Sequence, residues 1–269
     1  MEYVEASQAK NLPGLRLALS IGVPGPWGES AKKMLEYKGI PYTPVAQYPG
    51  QPNEDLVAWT GIRNAPVLVL NDEPGRSNYQ DIVALAERLA PEPRLIPLDP
   101  DERQLCLGIS ADICSEGGFG WKRRVLMGMR PRDNDPPTRS TPQSRPQPQQ
   151  QSNIDPNVMR KAYRNSEAEA EHATSYIAAM LDNFAARLAR QQQSGSPYFV
   201  GSTLTACDIH WACFSAMLDP LPQAVNPMPD WLRPAYSWLG PELEKHKHPI
   251  LLEHRDLVFD RHLGLPLDY

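Results

Sequence analysis

The sequence holds no run of 18 apolar residues, so no membrane span is expected. It has no excess of basic residues. Net charge is −5, and a nucleic-acid surface would need a basic face or stripe. The opening residues MEYVEASQAK lack an apolar h-region, so no secretory signal is expected and the chain reads as cytoplasmic. Cysteine is scarce. Four residues, Cys106, Cys114, Cys207 and Cys213, are too few for a disulfide framework in 269 residues. None form C-x-x-C and no histidine cluster accompanies them, so thiol–disulfide chemistry through that motif is excluded and no zinc or other metal site is expected. Reduced, buried cysteines are the reading.

What is present is a two-part pattern. Leu15, Leu17 and Leu19 alternate with Arg16, Ala18 and Ser20, the period of a half-buried strand. Gly25-Pro26-Trp27-Gly28 follows. Gly25 can serve as N-cap and Pro26 sits where a helix tolerates proline. Ala31, Met34 and Leu35 give an apolar stripe, and Gly39 ends the helix as a left-handed C′ residue. Lys32 and Lys33 on that helix read as solvent-facing. Residues 1–12 read as a poorly ordered polar lead-in.

Tyr42 to Val45 should form a second strand, parallel to the first. Residues 46–64 read as a loop with a helical turn, and Pro66 opens the apolar run Val67 to Leu70, as proline can at a strand start. Asn78-Tyr79 begins a helix whose buried face is Ile82, Leu85, Ala86 and Leu89.

Residues 90–98 (APEPRLIPL) look like an interdomain linker. Asp99-Pro100-Asp101-Glu102 is a strong helix start. That helix should break at Gly117-Gly118 and resume to about Met129. In residues 131–156, seven of 26 are proline and Ile154 is the one large apolar residue, which predicts a disordered Pro/Gln-rich insertion. Asp155-Pro156 then caps a long helix with the stripe Ile177, Met180, Leu181, Phe184, Leu188. Thr205-x-x-Asp208 is a capping pattern, so Asp208 reads as structural. His210 and Trp211 read as packing residues. One more helix near 241–247 and an irregular tail close the chain.

Two segments carry a family resemblance. Lys38-Gly39-Ile40-Pro41-Tyr42 resembles the K-G-I-x-Y helix end of thioredoxin-like domains of the glutaredoxin and glutathione transferase kind. Gly25-Pro26-Trp27-Gly28 falls on their C-P-W-C. Tyr198 to Ile209 resembles the G-x-x-x-T-x-A-D element of the helical domain of glutathione transferases. The resemblance covers nearly the whole chain. It implies an α/β thioredoxin-like domain over 13–92 and an all-α domain over 99–269, a small electrophile as substrate, glutathione as co-substrate and a homodimer, with no cofactor bound.

It also implies a cis Ala65–Pro66 bond and a glutathione site at Gly25, Pro26, Trp27, Ala65, Pro66, Asn78 and Tyr79. Asn78-Tyr79 replaces the usual Glu-Ser, with Ser77 as a substitute hydroxyl. Both cysteine positions of the motif are glycine, so no catalytic side chain is identified. Ser20 is the weak candidate, read either as facing the site or as a loop hydroxyl. Ser30, Glu29 and Trp27 are nearby alternatives. Trp121 and Arg124 fall where the second substrate is lined in relatives; a solvated basic face over 121–124 is the competing reading. Two functions remain open: a transferase whose thiol is activated mainly by backbone amides at a helix N-terminus, and a binding or structural protein that has lost the chemistry.

Overall fold

A computed structural model describes residues 1–130 and 166–269. The first half is a three-stranded sheet. β1 (Leu15–Ser20) is central, β2 (Thr43–Gln47) pairs with it in parallel and β3 (Val67–Leu70) antiparallel. A fourth strand is reduced to one bridge between Leu68 and Arg76. α1 (Ala6–Ala9) precedes the sheet. α2 (Pro26–Tyr37) makes the β1–β2 crossover, α3 (Glu54–Thr60) lies between β2 and β3, and α4 (Tyr79–Leu89) follows β3.

The lead-in is ordered, contrary to expectation. Val4 joins the edge of β2 through Val4 N–H to Pro44 C=O (3.0 Å) and Ala46 N–H to Val4 C=O (2.9 Å), and Ala6 and Ala9 are buried against Ala18, Val45 and Leu56. That layer also corrects the half-buried reading of β1. The strand is covered on both faces, with Leu15, Leu17 and Leu19 against Ala31, Leu35 and Ile82, and Ala18 against the α1 and α3 side. Arg16 is buried because backbone carbonyls receive its guanidinium, those of Leu12, Gly14 (3.2 Å) and Asn71 (2.6 Å).

Gly39 takes φ +65°, and Ile40 N–H closes the α2 end on Leu35 C=O at 2.9 Å. The neighbouring Lys38 Nζ is inside the protein. It bonds Glu87 Oε1 and the Pro93 carbonyl, both at 2.6 Å, tying the ends of α2 and α4 to the segment after them. The Ala65–Pro66 bond is cis, as the resemblance implied. Asn78 caps α4 by accepting Gln80 N–H at 2.8 Å. Ile82, Leu85 and Ala86 are buried as expected. Leu89 is not, because the helix ends there and its side chain passes the rim of the core.

The second half is helical: α5 (Pro100–Cys114), α6 (Phe119–Met129), α7 (Glu167–Gln193), α8 (Ala206–Phe214), α9 (Arg233–Ser237), α10 (Gly240–Glu244) and α11 (Pro249–Val258), closed by a π-helical turn at Phe259–Leu263. The helix expected near 241–247 is α10, and α9 and α11 flank it where an irregular chain was expected. Asp99 caps α5 through Asp101 and Glu102 N–H (3.0 and 2.9 Å). The expected insertion at 131–156 and the helix start at Asp155-Pro156 lie outside the described residues; α7 is capped by Ser166, which accepts Glu169 N–H at 3.1 Å. The stripe Ile177, Met180, Leu181, Phe184 and Leu188 is buried throughout.

α8 is the axis of this half and every residue of it is buried. Its first turn is fixed by Asp208. One carboxylate oxygen accepts Thr205 N–H (2.8 Å) and Thr205 O–H (2.6 Å); the other accepts Phe199 N–H (2.8 Å) and lies 3.1 Å from His254 Nε2. All four cysteines are free and buried.

α2 joins the halves. Ala31 and Leu35 face the sheet while Met34 faces the helical core, and the helix packs along α8. Lys32 and Lys33, expected in solvent, are buried. Lys32 Nζ bonds Glu29 (2.9 Å) and the Asp268 carbonyl, and Lys33 Nζ bonds Glu36 (2.9 Å) and the Leu263 carbonyl (3.0 Å). The C-terminal tail supplies those carbonyls, which a local reading of α2 does not contain.

Candidate functional site

The helix α2 begins beside the cis-Pro66 turn and the start of α4. Between them Trp27, Ser30, Ala31, Met34, Pro66, Ser77, Tyr79 and Ile82 line a cleft whose far wall is His210 of α8. Of the residues expected at the site, the cleft brings together Trp27, Pro66 and Tyr79, with Ala65 and Asn78 adjoining in the chain. Ser77 and Asn78 are exposed at its mouth. The enclosed space is about 10 Å³, room for one water molecule.

Gly25 caps α2 in an extended conformation (φ −75°, ψ 110°) and offers no side-chain oxygen or sulfur. A Cβ there would meet no atom within 4 Å. The first internal bond of the helix is Glu29 N–H to Gly25 C=O at 2.9 Å. The N–H groups of Trp27 and Gly28 precede it, and helix N-termini favour anions. Ser30 O–H donates back to Trp27 C=O at 3.0 Å.

Trp27 is held edge-on to Phe214 (4.8 Å) and donates Nε1–H to Cys114 C=O (2.9 Å). Gly120 makes room for this pair. A Cβ at Gly120 would stand 2.5 Å from Phe214 Cε1 and 2.8 Å from Trp27 Cζ2. Gly120→Ala is therefore expected to cost about 1–3 kcal/mol by overpacking, read as a lower urea midpoint. A wild-type midpoint would contradict this packing of Trp27.

Ser20 sits at the end of β1 with its hydroxyl donated to Gln47 Oε1 at 2.7 Å, and it lines neither this cleft nor the second one below. Pro26 and Glu29 turn to the other side of α2. There, with Pro24, Cys213, Asn226, Arg255 and Tyr269, they line a second cavity of about 10 Å³. Burial pushes the Glu29 carboxyl up, against the pull of Lys32.

The basic run of α6 is not a solvated face. Lys122 and Arg123 are buried. Arg123 donates to the Met217 (2.7 Å) and Trp238 (2.8 Å) carbonyls, and burial brings its pKa down to about 10. Arg124 donates to Tyr236 Oη (3.1 Å), which in turn donates to Pro24 C=O (2.9 Å), just before the α2 cap. Trp121 is half-buried, and neither Trp121 nor Arg124 lines either cleft.

His210 is the cleft residue that sequence reasoning assigned to packing alone. Its Nδ1 meets Ser110 Oγ at 3.0 Å and its ring stands edge-on to Tyr79 at 5.6 Å. Burial lowers its pKa to about 3. Burial, then Cys114 and Asp112, push the Tyr79 phenol up. The only available signal was the position of His210 one turn after Ala206, on the α8 face that meets α5. Because the unfolded imidazole titrates near 6.5 and the folded one near 3, His210 stabilises the fold above the unfolded value. That contribution is lost as pH falls from about 6.5 toward 3. The slope from this group approaches about 1.4 kcal/mol per pH unit. His210→Phe should flatten the acid limb of stability by about one proton, measured by urea unfolding at several pH values; an unchanged limb would place the imidazole in water.

No protein-family model and no curated protein matches the chain. Solved structures do. A glutathione S-transferase from Methylobacillus flagellatus with glutathione bound is 17% identical at a TM-score of 0.60, covering 92% of this chain and 95% of its own. One from Rhodospirillum rubrum is 17% identical at 0.58, covering 92% and 88%. Ure2p, the yeast prion protein, in complex with glutathione is 12% identical at 0.53, covering 90% and 99%. The alignments run through both halves of the chain, and the thioredoxin-like sheet followed by an all-α half is the fold of the glutathione S-transferases.

Proposed function

We propose that the protein binds glutathione across the Trp27–Pro66–Tyr79 cleft and conjugates it to a small electrophile: the cysteinyl thiol gives its proton to solvent, and the thiolate sulfur bonds the electrophilic carbon as the leaving group departs with its electron pair. The observation that carries this reading is the convergence on one cleft of the α2 N-terminus, the cis-Pro66 turn and the α4 N-terminus. Each supplies backbone donors or acceptors that do not depend on side-chain identity. The cleft is shallow. It suits the thiol end of the tripeptide, with the γ-glutamyl end lying over exposed Ser77 and Asn78 at the start of α4, where N–H groups hold a carboxylate.

In this reading the amides of Trp27 and Gly28 stabilise the thiolate, in the role a hydroxyl or cysteine would otherwise take. Ala65 and Pro66 align the peptide backbone, and Ser20 takes no part, since its hydroxyl serves Gln47. A neutral His210 leaves the far wall of the cleft without a fixed charge. The proposed division is a domain over 13–92 and a second over 99–269, acting as a cytoplasmic homodimer, with Trp121 and Arg124 on the second-substrate side.

The bare Gly25 cap supports a second reading, a glutathione-binding protein without transfer chemistry. The two separate in one assay series. Conjugation of an electrophilic aromatic halide that saturates in glutathione supports the first. Glutathione binding with no turnover above the uncatalysed rate supports the second.

A further inference from the structure

Away from the cleft, three metal-ligating side chains converge on the outer side of the helical half. Asp182 projects from the middle of α7. His246 and His248 follow α10 in the segment Lys245-His246-Lys247-His248, immediately before α11. A tight turn, His248 N–H to His246 C=O at 3.0 Å, brings the two imidazoles to the same side. His246 Nδ1 lies 2.9 Å and His248 Nε2 2.6 Å from the same oxygen, Asp182 Oδ1, and the three ligand atoms all fall within 4.8 Å of one another.

We propose that Asp182, His246 and His248 form a binding site for one divalent cation of the zinc class. Two imidazole nitrogens and one carboxylate oxygen are the donor set that zinc, nickel and copper prefer, and magnesium and calcium do not. A tetrahedral ion at about 2.0–2.2 Å from each donor holds them about 3.3–3.5 Å apart. To reach that spacing the two carboxylate–imidazole contacts, 2.9 and 2.6 Å, must open by roughly half to one ångström. Their partial exposure (His246 24%, His248 37%, Asp182 48%) permits that movement and leaves the fourth position to water.

With Nδ1 of His246 on the metal, its Nε2 faces the Glu242 carboxylate at 3.9 Å, close enough for attraction and too far for a hydrogen bond. The ion would clip the α10–α11 connection to α7.

The test is calorimetric titration of the untagged, chelator-stripped full chain with zinc chloride. The expected result is one saturable equivalent, a raised unfolding temperature, reversal by chelator, and no heat with magnesium. Asp182→Asn and the double variant His246→Gln, His248→Gln should each weaken binding at least about tenfold and lose the thermal shift. Wild-type protein that takes up no zinc would overturn the proposal, leaving a hydrogen-bonded trio. So would variants that bind it with wild-type affinity. Should the variants fail to fold, imidazole nitrogen resonances of the wild type decide. Zinc should move those of His246 and His248 among the six histidines; movement elsewhere, or none, refutes it.

Discussion

Asp208→Ala is expected to remove about 3–5 kcal/mol of stability, the cost of breaking a fully buried charged network. The carboxylate is 0% exposed and accepts three protein donors, and His254 stands 3.1 Å away. Truncation leaves Phe199 and Thr205 N–H buried without partners, each costing about 1–3 kcal/mol. It also leaves His254, whose Nδ1 donates to Pro197 C=O at 3.0 Å, without its facing oxygen. A typical domain has only about 5–15 kcal/mol to lose. The consequence reaches the cleft, because α8 carries His210 two residues further on and backs α2 along its length. Equilibrium urea unfolding gives the value: the midpoint should fall with little change in slope. A loss under about 1 kcal/mol would mean that the α8 start is held by packing instead.

Gly25→Cys is expected to create a reactive thiol where the wild type has none. The backbone at Gly25 is extended with φ −75°, which cysteine adopts without strain, and the added Cβ meets open space. The four native thiols are buried and so compete poorly for a disulfide reagent; burial also pushes those of Cys114, Cys207 and Cys213 up, while that of Cys106, lowered by its hydrogen bond with Cys207, stays enclosed. At a helix N-terminus the new thiol's pKa should fall into the range of about 3.5–7.5. A drop of two units from about 8.5 gives roughly twenty-fold more thiolate at pH 7, partly offset by lower nucleophilicity. One rapid equivalent with an aromatic disulfide, absent in wild type, is the expected trace. A single slow phase with an ordinary pKa would show that the α2 amides do not face the thiol position. Gly28→Cys is the poorer choice, because its Cβ would stand 3.1 Å from Leu19 Cδ2.

Local signals carried much of the architecture. Gly39, Asp99, Asn78 and the Thr205–Asp208 pair act within one turn of their own helix, so spacing alone reveals them. The cis bond before Pro66 came from the family resemblance and not from local chemistry. Buried charge was not legible. Arg16, Lys32, Lys33 and Arg123 look like surface residues in any window, and become core residues only because Asn71, Asp268, Leu263, Met217 and Trp238 bring carbonyls from far along the chain. The same limit hid His210. Its apolar helix marked it as packing, and its place in the cleft depends on α8 meeting α2, a long-range contact with no sequence period. Of the C-terminal helices, α10 was expected near 241–247, whereas α9 and α11, in a proline- and tryptophan-rich stretch read as irregular, were not.

The central claim is that the Trp27–Pro66–Tyr79 cleft holds glutathione through backbone geometry, without a side chain at position 25. Calorimetric titration of the wild-type chain with reduced glutathione tests it most directly. A single saturable site, with heat that survives Ser20→Ala and is lost in Pro66→Arg, is the predicted result; no heat and no thermal stabilisation at millimolar glutathione would contradict it.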